Sequence, residues 1–340
     1  MRIALDAMGT DRHPAVEVEG ALAALRELAG DFTIVLVGDR PRIEAEVARW
    51  GGDAAGRLEV QHAPDLIAPS ESAAAAVRRK PHSSIVVGLK LQREGKADAF
   101  VSAGSTGAVM AASLFLLRPL PGVDRPAIGT VLPTSAQPLL LLDAGANVDC
   151  RPQHLLQFGR LGSVYVEDVW QRPRPRVGLL NIGEEPEKGG EVTVEAHQLL
   201  ASSGLHFVGN IEGRDVIRGT CDVLVADGFV GNVLLKFYES VTGLMRGVLR
   251  TALAEAGAEV DLDRLLSAFD YTEYGGAPLL GVNGITIICH GGSPPRAIRN
   301  AIRVAVQASE TQMLRHIRRA FGGAAGDSRR SGGTGPDDAS

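Results

Sequence analysis

The sequence predicts an α/β protein built on a largely parallel sheet with helices on both faces. Three observations lead there. Strand-like and helix-like segments alternate almost throughout the chain. The strand-like runs are short and continuously apolar, as in strands buried on both faces. Glycine is abundant, at 41 of 340 residues, which suits many tight turns between such elements.

The elements follow in order. Ile3-Ala4-Leu5 reads as a strand and Pro14 to Leu28 as a helix. Phe32 to Gly38 is a buried-strand run, followed by a helix from Pro41 to Trp50 and a strand at Leu58-Glu59-Val60. Helical segments cover Ser70–Lys80 and Ser83–Glu94, and Ala97–Ser102 is the next strand. Ala127–Leu132 and Pro138–Leu142 are two successive apolar runs, an antiparallel hairpin or a crossover. Pro152 opens a helix to Trp170, since proline suits a first helical turn. Arg176–Leu180 is a strand, Glu191–Ser202 a helix, Cys221–Ala226 a strand and Val230–Ala256 a long helix. Ile285–Ile288 is a short strand, and Pro295–Phe321 a final long helix. We expect residues 1–321 to form a single catalytic α/β domain, two lobes sharing one sheet. The Gly/Ser/Asp/Arg-rich tail 322–340 is expected to be disordered.

Composition excludes several classes. A net charge of −5 argues against a nucleic-acid binder, whose affinity would come from cation–phosphate contacts. Cys150, Cys221 and Cys289 lie far apart without metal-ligand spacing, so neither a disulfide framework nor a metal site is expected. They read as reduced thiols of a cytoplasmic protein. The first strand reads as beginning at once, so no signal peptide is expected. No apolar run reaches the ~18 residues of a membrane span.

In open parallel sheets ligands sit beyond the carboxyl ends of strands. Six such ends here carry glycine with a polar residue: Asp6–Asp11, Gly104–Gly107 within AGSTGA, Asp143–Asp149, Asn181–Gly190, Asp227–Asn232 and Cys289–Ser293. One such loop is weak evidence; six are stronger, because packing alone does not require polar groups at every strand end. Each also has a plain structural reading. Asp227 and Ser293 can cap the helices that follow, and Asn147 and Asp149 can serve the helix opened by Pro152. AGSTGA lacks the spacing of a Walker loop or of GxGxxG. His290 alone among the histidines stands in a strand-end loop beside two glycines. Lys188 lies before a helix, and Lys236 shares a helix face with Asn232. Arg296, Arg299 and Arg303 repeat at i, i+3, i+7 on one face of the last helix, a solvated stripe or a surface for an anionic partner.

With these loops in hand, the chain resembles the PlsX-type phosphate acyltransferases of bacterial phospholipid synthesis. The resemblance rests on DAMG at 6–9, SAGSTGA at 102–108, DRPA at 124–127, LPT at 132–134, LLLDAGANVD at 140–149, GSVY at 162–165, VGLLNIGEE at 177–185, VGNIEGRD at 208–215, DGFVGN at 227–232, YGGAPLLG at 274–281 and HGGS at 290–293. It covers residues 1–319 in family order. It implies a three-layer α/β/α fold similar to phosphotransacetylases and isocitrate/isopropylmalate dehydrogenases. It implies that acyl–acyl carrier protein and inorganic phosphate give acyl phosphate, which a membrane glycerol-3-phosphate acyltransferase consumes. A homodimer without cofactor, cytoplasmic with peripheral contact at the inner membrane face, is implied as well.

The chain departs from the family pattern at Thr10, where a second glycine is usual, and at Ser105, where asparagine is common. Threonines usual in the family are replaced by Ala226 and Val230. The segment from Arg246 to Tyr271, linked in the family with dimer packing and membrane contact, is shorter and more acidic here. The residues expected to do the chemistry are Lys188, Asp227, Asn232 and His290. Phosphate and acyl binding is expected from Asp6, Gly104, Ser105, Thr106, Gly107, Asn147, Gly231 and Lys236. Docking of the acidic carrier protein is expected at Arg78, Arg79, Lys80, Arg296, Arg299 and Arg303.

Overall fold

The computed structural model describes residues 1–52, 56–255, 260–261 and 271–322. Eleven strands form one continuous sheet: β1 Arg2–Asp6, β2 Thr33–Gly38, β3 Leu58–His62, β4 Ala99–Ser102, β5 Ala127–Leu132, β6 Leu139–Leu142, β7 Arg176–Asn181, β8 His206–Glu212, β9 Val223–Val225, β10 Ala277–Leu280 and β11 Ile285–Ile288. Their spatial order is β3-β2-β1-β4-β11-β10-β5-β6-β9-β7-β8. Seven of the ten pairings are parallel. The three antiparallel ones, β11–β10, β10–β5 and β5–β6, lie together in the middle.

This arrangement has a consequence for function. The block β3-β2-β1-β4-β11 runs one way and the block β6-β9-β7-β8 runs the other. Their carboxyl ends, where the polar glycine loops sit, therefore lie at opposite edges of the sheet.

Helices cover both faces. They are α1 Ala15–Glu27, α2 Arg40–Arg49, α3 Ala73–Arg79, α4 Ser84–Arg93, α5 Thr106–Leu116, α6 Pro152–Trp170, α7 Glu191–Ala201, α8 Gly213–Val216, α9 Gly228–Glu255, α10 Pro295–Glu310 and α11 Met313–Gly322. The strands feed two separate cores by simple alternation. Ile3, Leu5, Ile34, Leu36, Leu140 and Leu142 join the core under α1, α6 and α10. Ala4, Val35, Val37, Leu139 and Leu141 join the core under α4, α5 and the first turns of α9. The expected three-layer α/β/α architecture is thus present.

The two middle apolar runs pair antiparallel directly, the first of the two alternatives expected for them. Other details differ from expectation. The final long helix is two helices, broken at Thr311-Gln312, where Gln312 takes a left-handed φ of 56°. Strands β8 and β10 are not among the expected elements; β8 begins with alternating exposed and half-buried residues and is interrupted by Gly209-Asn210, so it lacks a continuous apolar run. Residues 323–340 of the expected tail, and part of the segment 246–271, lie outside the described residues.

Candidate active site

At the edge where β6, β7 and β9 end, the 143–147 loop is organised by one buried carboxylate. Asp143 Oδ1 accepts from the N–H groups of Ile128 at 2.9 Å, Ala146 at 3.1 Å and Gly145 at 3.3 Å. Its Oδ2 accepts from the Asn147 N–H at 2.6 Å and Nδ2 at 3.0 Å. Burial pushes this carboxyl's pKa up, while the convergent N–H donors pull against that shift. Asn147 Nδ2 also donates to the Pro126 carbonyl, so its amide donors are committed inside the loop. Asn232 Nδ2 donates to the Ala144 carbonyl at 3.1 Å. Asp227 Oδ1 accepts from the Phe229 and Val230 N–H groups, each at 2.9 Å, and so caps α9. Gly231 is there because a side chain cannot be: a methyl at this position would overlap the Asp143 carbonyl oxygen.

Beside these loops lies an open cavity of about 700 Å³. Its walls are mostly apolar, with Leu155, Leu179, Val192, Val233 and Phe237 among them. Asp149, Asn181, Thr193 and Asp227 supply polar edges. Gly189 and Gly190 lead into α7 at its rim, and Lys188, one residue earlier, is exposed and makes no ion pair among the described residues. Cys150 lines the same cavity with its thiol pushed up to about 11 by burial. It stays protonated near neutral pH and is a poor nucleophile.

The opposite edge gathers the other loops. Ser102 Oγ donates to Asp6 Oδ2 at 2.6 Å and accepts from the Gly104 N–H at 3.0 Å. Asp6 Oδ1 accepts from the Met8 N–H. Ser105 is the N-cap of α5, its Oγ 3.5 Å from the Ala108 N. Thr106 and Gly107 form the first turn, where N–H groups have no intrahelical acceptor. Gly9 closes against this loop, since a methyl there would sit 2.6 Å from the Gly104 nitrogen. The 289–293 turn joins in through the Asp11 N–H donating to the Gly291 carbonyl at 2.9 Å.

Helix α9 crosses from the first edge to this one. Near its start it holds Asn232 against Ala144; further on, Tyr238 Oη donates to the Pro133 carbonyl just beyond β5. It then brings Glu239 within 3.9 Å of His290 Nε2, and Lys236 Nζ donates to the same Glu239 at 2.8 Å. Burial pulls the His290 pKa down, which favours neutral imidazole near pH 7.

Sequence reasoning missed Glu17. It is fully buried in the first turn of α1 and accepts from the Thr10 N–H at 2.7 Å through Oε1, with the Thr10 side chain also favouring its charged form. Desolvation raises its pKa to about 7, with the nearby Asp6 adding to the rise. The signal was present as a glutamate between Val16 and Val18 in a helix whose neighbours are buried. Glu239, whose buried Oε1 lies 3.9 Å from His290 Nε2, was also missed.

The six predicted loops thus do not converge in one chain. Asn147, Lys188, Asp227, Gly231 and Asn232 stand at one edge; Asp6, Gly104, Ser105, Thr106, Gly107, Lys236 and His290 belong to the other. The basic candidates are engaged within the chain. Arg296 meets Glu273 and Arg299 meets Glu27, each at 2.5 Å, while Arg303 is half-buried against Gln307. Lys80 Nζ donates to Glu71 at 2.6 Å, Arg79 lies 3.8 Å from the same carboxylate, and Arg78 lies over the Phe115 ring. Helix α3, which carries Arg78 and Arg79, packs on α5 beside the 104–107 loop. Among the described residues no group of three acidic, histidine or cysteine side chains is arranged to hold a metal ion. None of the described helices is long and apolar enough to cross a membrane.

A family model described as "Fatty acid synthesis protein" matches residues 1–316. A phosphate acyltransferase of Pelotomaculum thermopropionicum is 51% identical over 326 residues, 94% of each chain. One of Desulforamulus reducens is 49% identical over 325 residues, 94% of this chain and 96% of that protein. A phosphotransacetylase structure from Streptococcus pyogenes superposes with a TM-score of 0.62 at 17% identity, covering 91% of this chain and 94% of that one. That last likeness concerns the fold.

Proposed function

The chain belongs to the fatty acid synthesis protein family and is an acyltransferase of the phosphate acyltransferase kind; from that premise we propose that it moves a long-chain acyl group from acyl carrier protein to inorganic phosphate. The near-50% identity to phosphate acyltransferases over nearly the whole chain carries the reading. The geometry supports it in two ways. The apolar cavity has room for roughly twenty water-sized groups, comparable to the carbons of a long acyl chain. The first turn of α5, with Ser105 and Thr106 at its mouth, offers N–H donors and a helix dipole to an anion.

The chemistry needs no covalent intermediate. Cys150, Cys221 and Cys289 are all pushed up by burial, to about 11, 12 and 12, and are not thiolates at neutral pH. A phosphate oxygen attacks the thioester carbonyl carbon, forming the C–O bond and a tetrahedral oxyanion. Collapse breaks the C–S bond. The pantetheine sulfur, with an ordinary thiol pKa near ~8.5, leaves and takes up a proton that the attacking phosphate gives up, with His290 as the relay. Positioning is the main requirement, and holding two reactants at attack distance contributes ~7–11 kcal/mol. The N–H groups at the α5 N-terminus offset the repulsion between the phosphate and the developing oxyanion.

Arg78 and Arg79, beside the 104–107 loop, are the basic surface we assign to docking the acidic carrier protein. The exposed apolar stripe of α9, with Phe237, Leu244, Met245 and Val248, serves a homodimer face before it serves a membrane. The acyl phosphate goes on to a membrane glycerol-3-phosphate acyltransferase, which requires at most a peripheral contact of a cytoplasmic protein with the inner membrane face.

The test is phosphate-dependent formation of acyl phosphate, trapped as hydroxamate, from palmitoyl carrier protein. Parallel reactions contain acetyl-coenzyme A or NAD(P). Turnover of acetyl-coenzyme A alone would make the protein a small-molecule phosphotransacetylase and refute the long-chain reading.

A further inference from the structure

We propose that Glu17 is a positioning residue for the acyl transfer: its carboxylate grips Thr10, and through Thr10 it holds the 104–107 loop and the 290–293 turn at one fixed spacing. This rests on the acyl-transfer reading above, in which the first loop receives phosphate and the second relays a proton.

Thr10 stands between two contacts. On one side of it, Gly9 packs so closely on Ala103 and Gly104 that a methyl would lie 2.6 Å from the Gly104 nitrogen. On the other, the Asp11 N–H donates to the Gly291 carbonyl at 2.9 Å. The position of Thr10 therefore sets how the phosphate loop and the His290 turn lie relative to each other. Thr10 is 2% exposed, and its N–H donates to Glu17 Oε1 at 2.7 Å, a hold from the core side. Its carbonyl lies 2.7 Å from His13 Nδ1, a hold from the outer side. The turn needs this support. Its first residue is tied to β4, with the Cys289 N–H donating to the Ser102 carbonyl at 2.8 Å. Beneath the rest lies a cavity of about 30 Å³, among Thr130, Ser293 and Ala297. That is room for a water molecule, so packing from below leaves the tip able to shift, and the Asp11 contact fixes it.

A carboxylate is a costly way to make this bond. Glu17 is wholly buried, and desolvation raises its pKa to about 7. A glutamine would accept from the Thr10 N–H without that cost. What the glutamate adds is a charge-assisted hydrogen bond, roughly twice as strong as a neutral one. A residue that costs stability and stands where two site loops meet answers a need of the site rather than of the fold. The groups around it are few. Asp6 faces it from β1, with His13 near Asp6, and Cys289 faces it from the end of β11. On the α10 side the contact of α1 is apolar, Gly20 on Ile298. Asp6 opposes the charge of Glu17, while the N–H and side chain of Thr10 support it. The grip on Thr10 therefore strengthens as pH rises through 7, while the stability that the protonated form contributes is lost over the same range.

Glu17→Gln at two pH values tests this. Binding of inorganic phosphate to the full chain is measured by titration calorimetry at pH 5.5 and pH 8, beside KM for phosphate and for acyl carrier protein. At pH 8 the variant should bind phosphate about fivefold more weakly than wild type, with phosphate KM raised alike and carrier-protein KM unchanged. At pH 5.5, where Glu17 is mostly protonated, the two chains should agree within about twofold. A merely structural glutamate gives a different result, a variant more stable at pH 8 with unchanged phosphate affinity. That outcome, or an equal weakening at both pH values, overturns the proposal. A second measurement does not depend on catalysis. Hydrogen exchange of the Asp11 amide, corrected for its intrinsic rate, should show wild type protected about tenfold more than the variant at pH 8 and equally at pH 5.5. Equal protection at pH 8 overturns the proposal as well. If the wild-type protein makes no acyl phosphate, the acyl-transfer reading falls, and the exchange still decides whether Glu17 holds the two loops.

Discussion

The two edges of the sheet carry the same sequence signature and use it differently. At the 143–147 and 227–232 edge, nearly every polar group is committed inside the chain. Asp143 accepts from four backbone N–H groups and an amide, Asp227 caps α9, and Asn232 ties α9 to Ala144. At the 6–10, 102–107 and 289–293 edge, Asp6 is likewise held by Ser102 and Met8, but Glu17 and Glu239 each keep one buried oxygen with no close hydrogen bond among the described residues. A polar glycine loop at a strand end is therefore not one kind of object. One edge is a scaffold that shapes a cavity, and the other keeps polar groups in reserve.

The sharpest way to break the comparison is at Gly231. A methyl there meets the Asp143 carbonyl, which is backbone and cannot swing away. Gly231→Ala should cost about 4 kcal/mol or more, the range reserved for overlap with backbone or loss of a buried network. The check is the urea midpoint of the purified variant. A loss under 1 kcal/mol would mean the first turn of α9 shifts freely and the scaffold is soft. Gly9→Ala makes the parallel test on the other edge, where the methyl would meet Gly104 N at 2.6 Å.

That contrast also explains what could be read in the sequence. Alternating short apolar strands and helices gave the layers and most element boundaries, because burial on both faces leaves a continuous apolar run, as at Leu139–Leu142. Strand direction was not legible. The short antiparallel segments β5, β6 and β10 reverse half the sheet, and nothing in their composition announces it. So the loops stand at strand ends as expected, while the edge each one occupies was not legible. The plain reading of Asp227 as a cap matches the geometry, whereas Asn147 does not serve the helix opened by Pro152 and instead braces its own loop through Asp143 and the Pro126 carbonyl. Glu17 was passed over because a glutamate in a helix ordinarily faces water, although its place between Val16 and Val18 was a signal.

Glu17 gives the second prediction, of intermediate size. Its folded pKa of about 7 lies above the ordinary 4.5, so the folded chain holds this proton over a pH range where the unfolded chain has lost it. Its contribution to stability is full below about pH 4.5 and is lost as pH rises through 7. The complete loss is about 3 kcal/mol. Asp6 repels its charge, the Thr10 N–H supports it, and the Cys289 thiol sits close by. Glu17→Gln keeps an acceptor for Thr10 and removes the charge. Urea denaturation should show the variant close to wild type at pH 5 and more stable by up to about 3 kcal/mol at pH 8. An equal difference at both pH values would remove the buried carboxyl from the account. It would also weaken the contrast between a satisfied and an unsatisfied edge.

The smallest effect separates structure from function at the mouth of α5. Ser105 Oγ lies 3.5 Å from the Ala108 nitrogen, a long contact for a cap, so Ser105→Ala should cost only about 0.5–1 kcal/mol of stability. A loss of that size leaves the protein folded at assay temperature. If the loop only turns a corner, kinetics should stay as they are, because a frayed first turn far from substrate has no way to change KM. If the loop cradles phosphate, the double change Ser105→Ala and Thr106→Ala removes two hydroxyl donors from the anion while leaving the backbone N–H groups. KM for phosphate should then rise about tenfold, the effect of one or two lost hydrogen bonds to a charged ligand, with KM for acyl carrier protein unchanged. Stability and phosphate KM thus move by different amounts for different reasons. A wild-type KM in a destabilised double variant would make this loop a cap and nothing more.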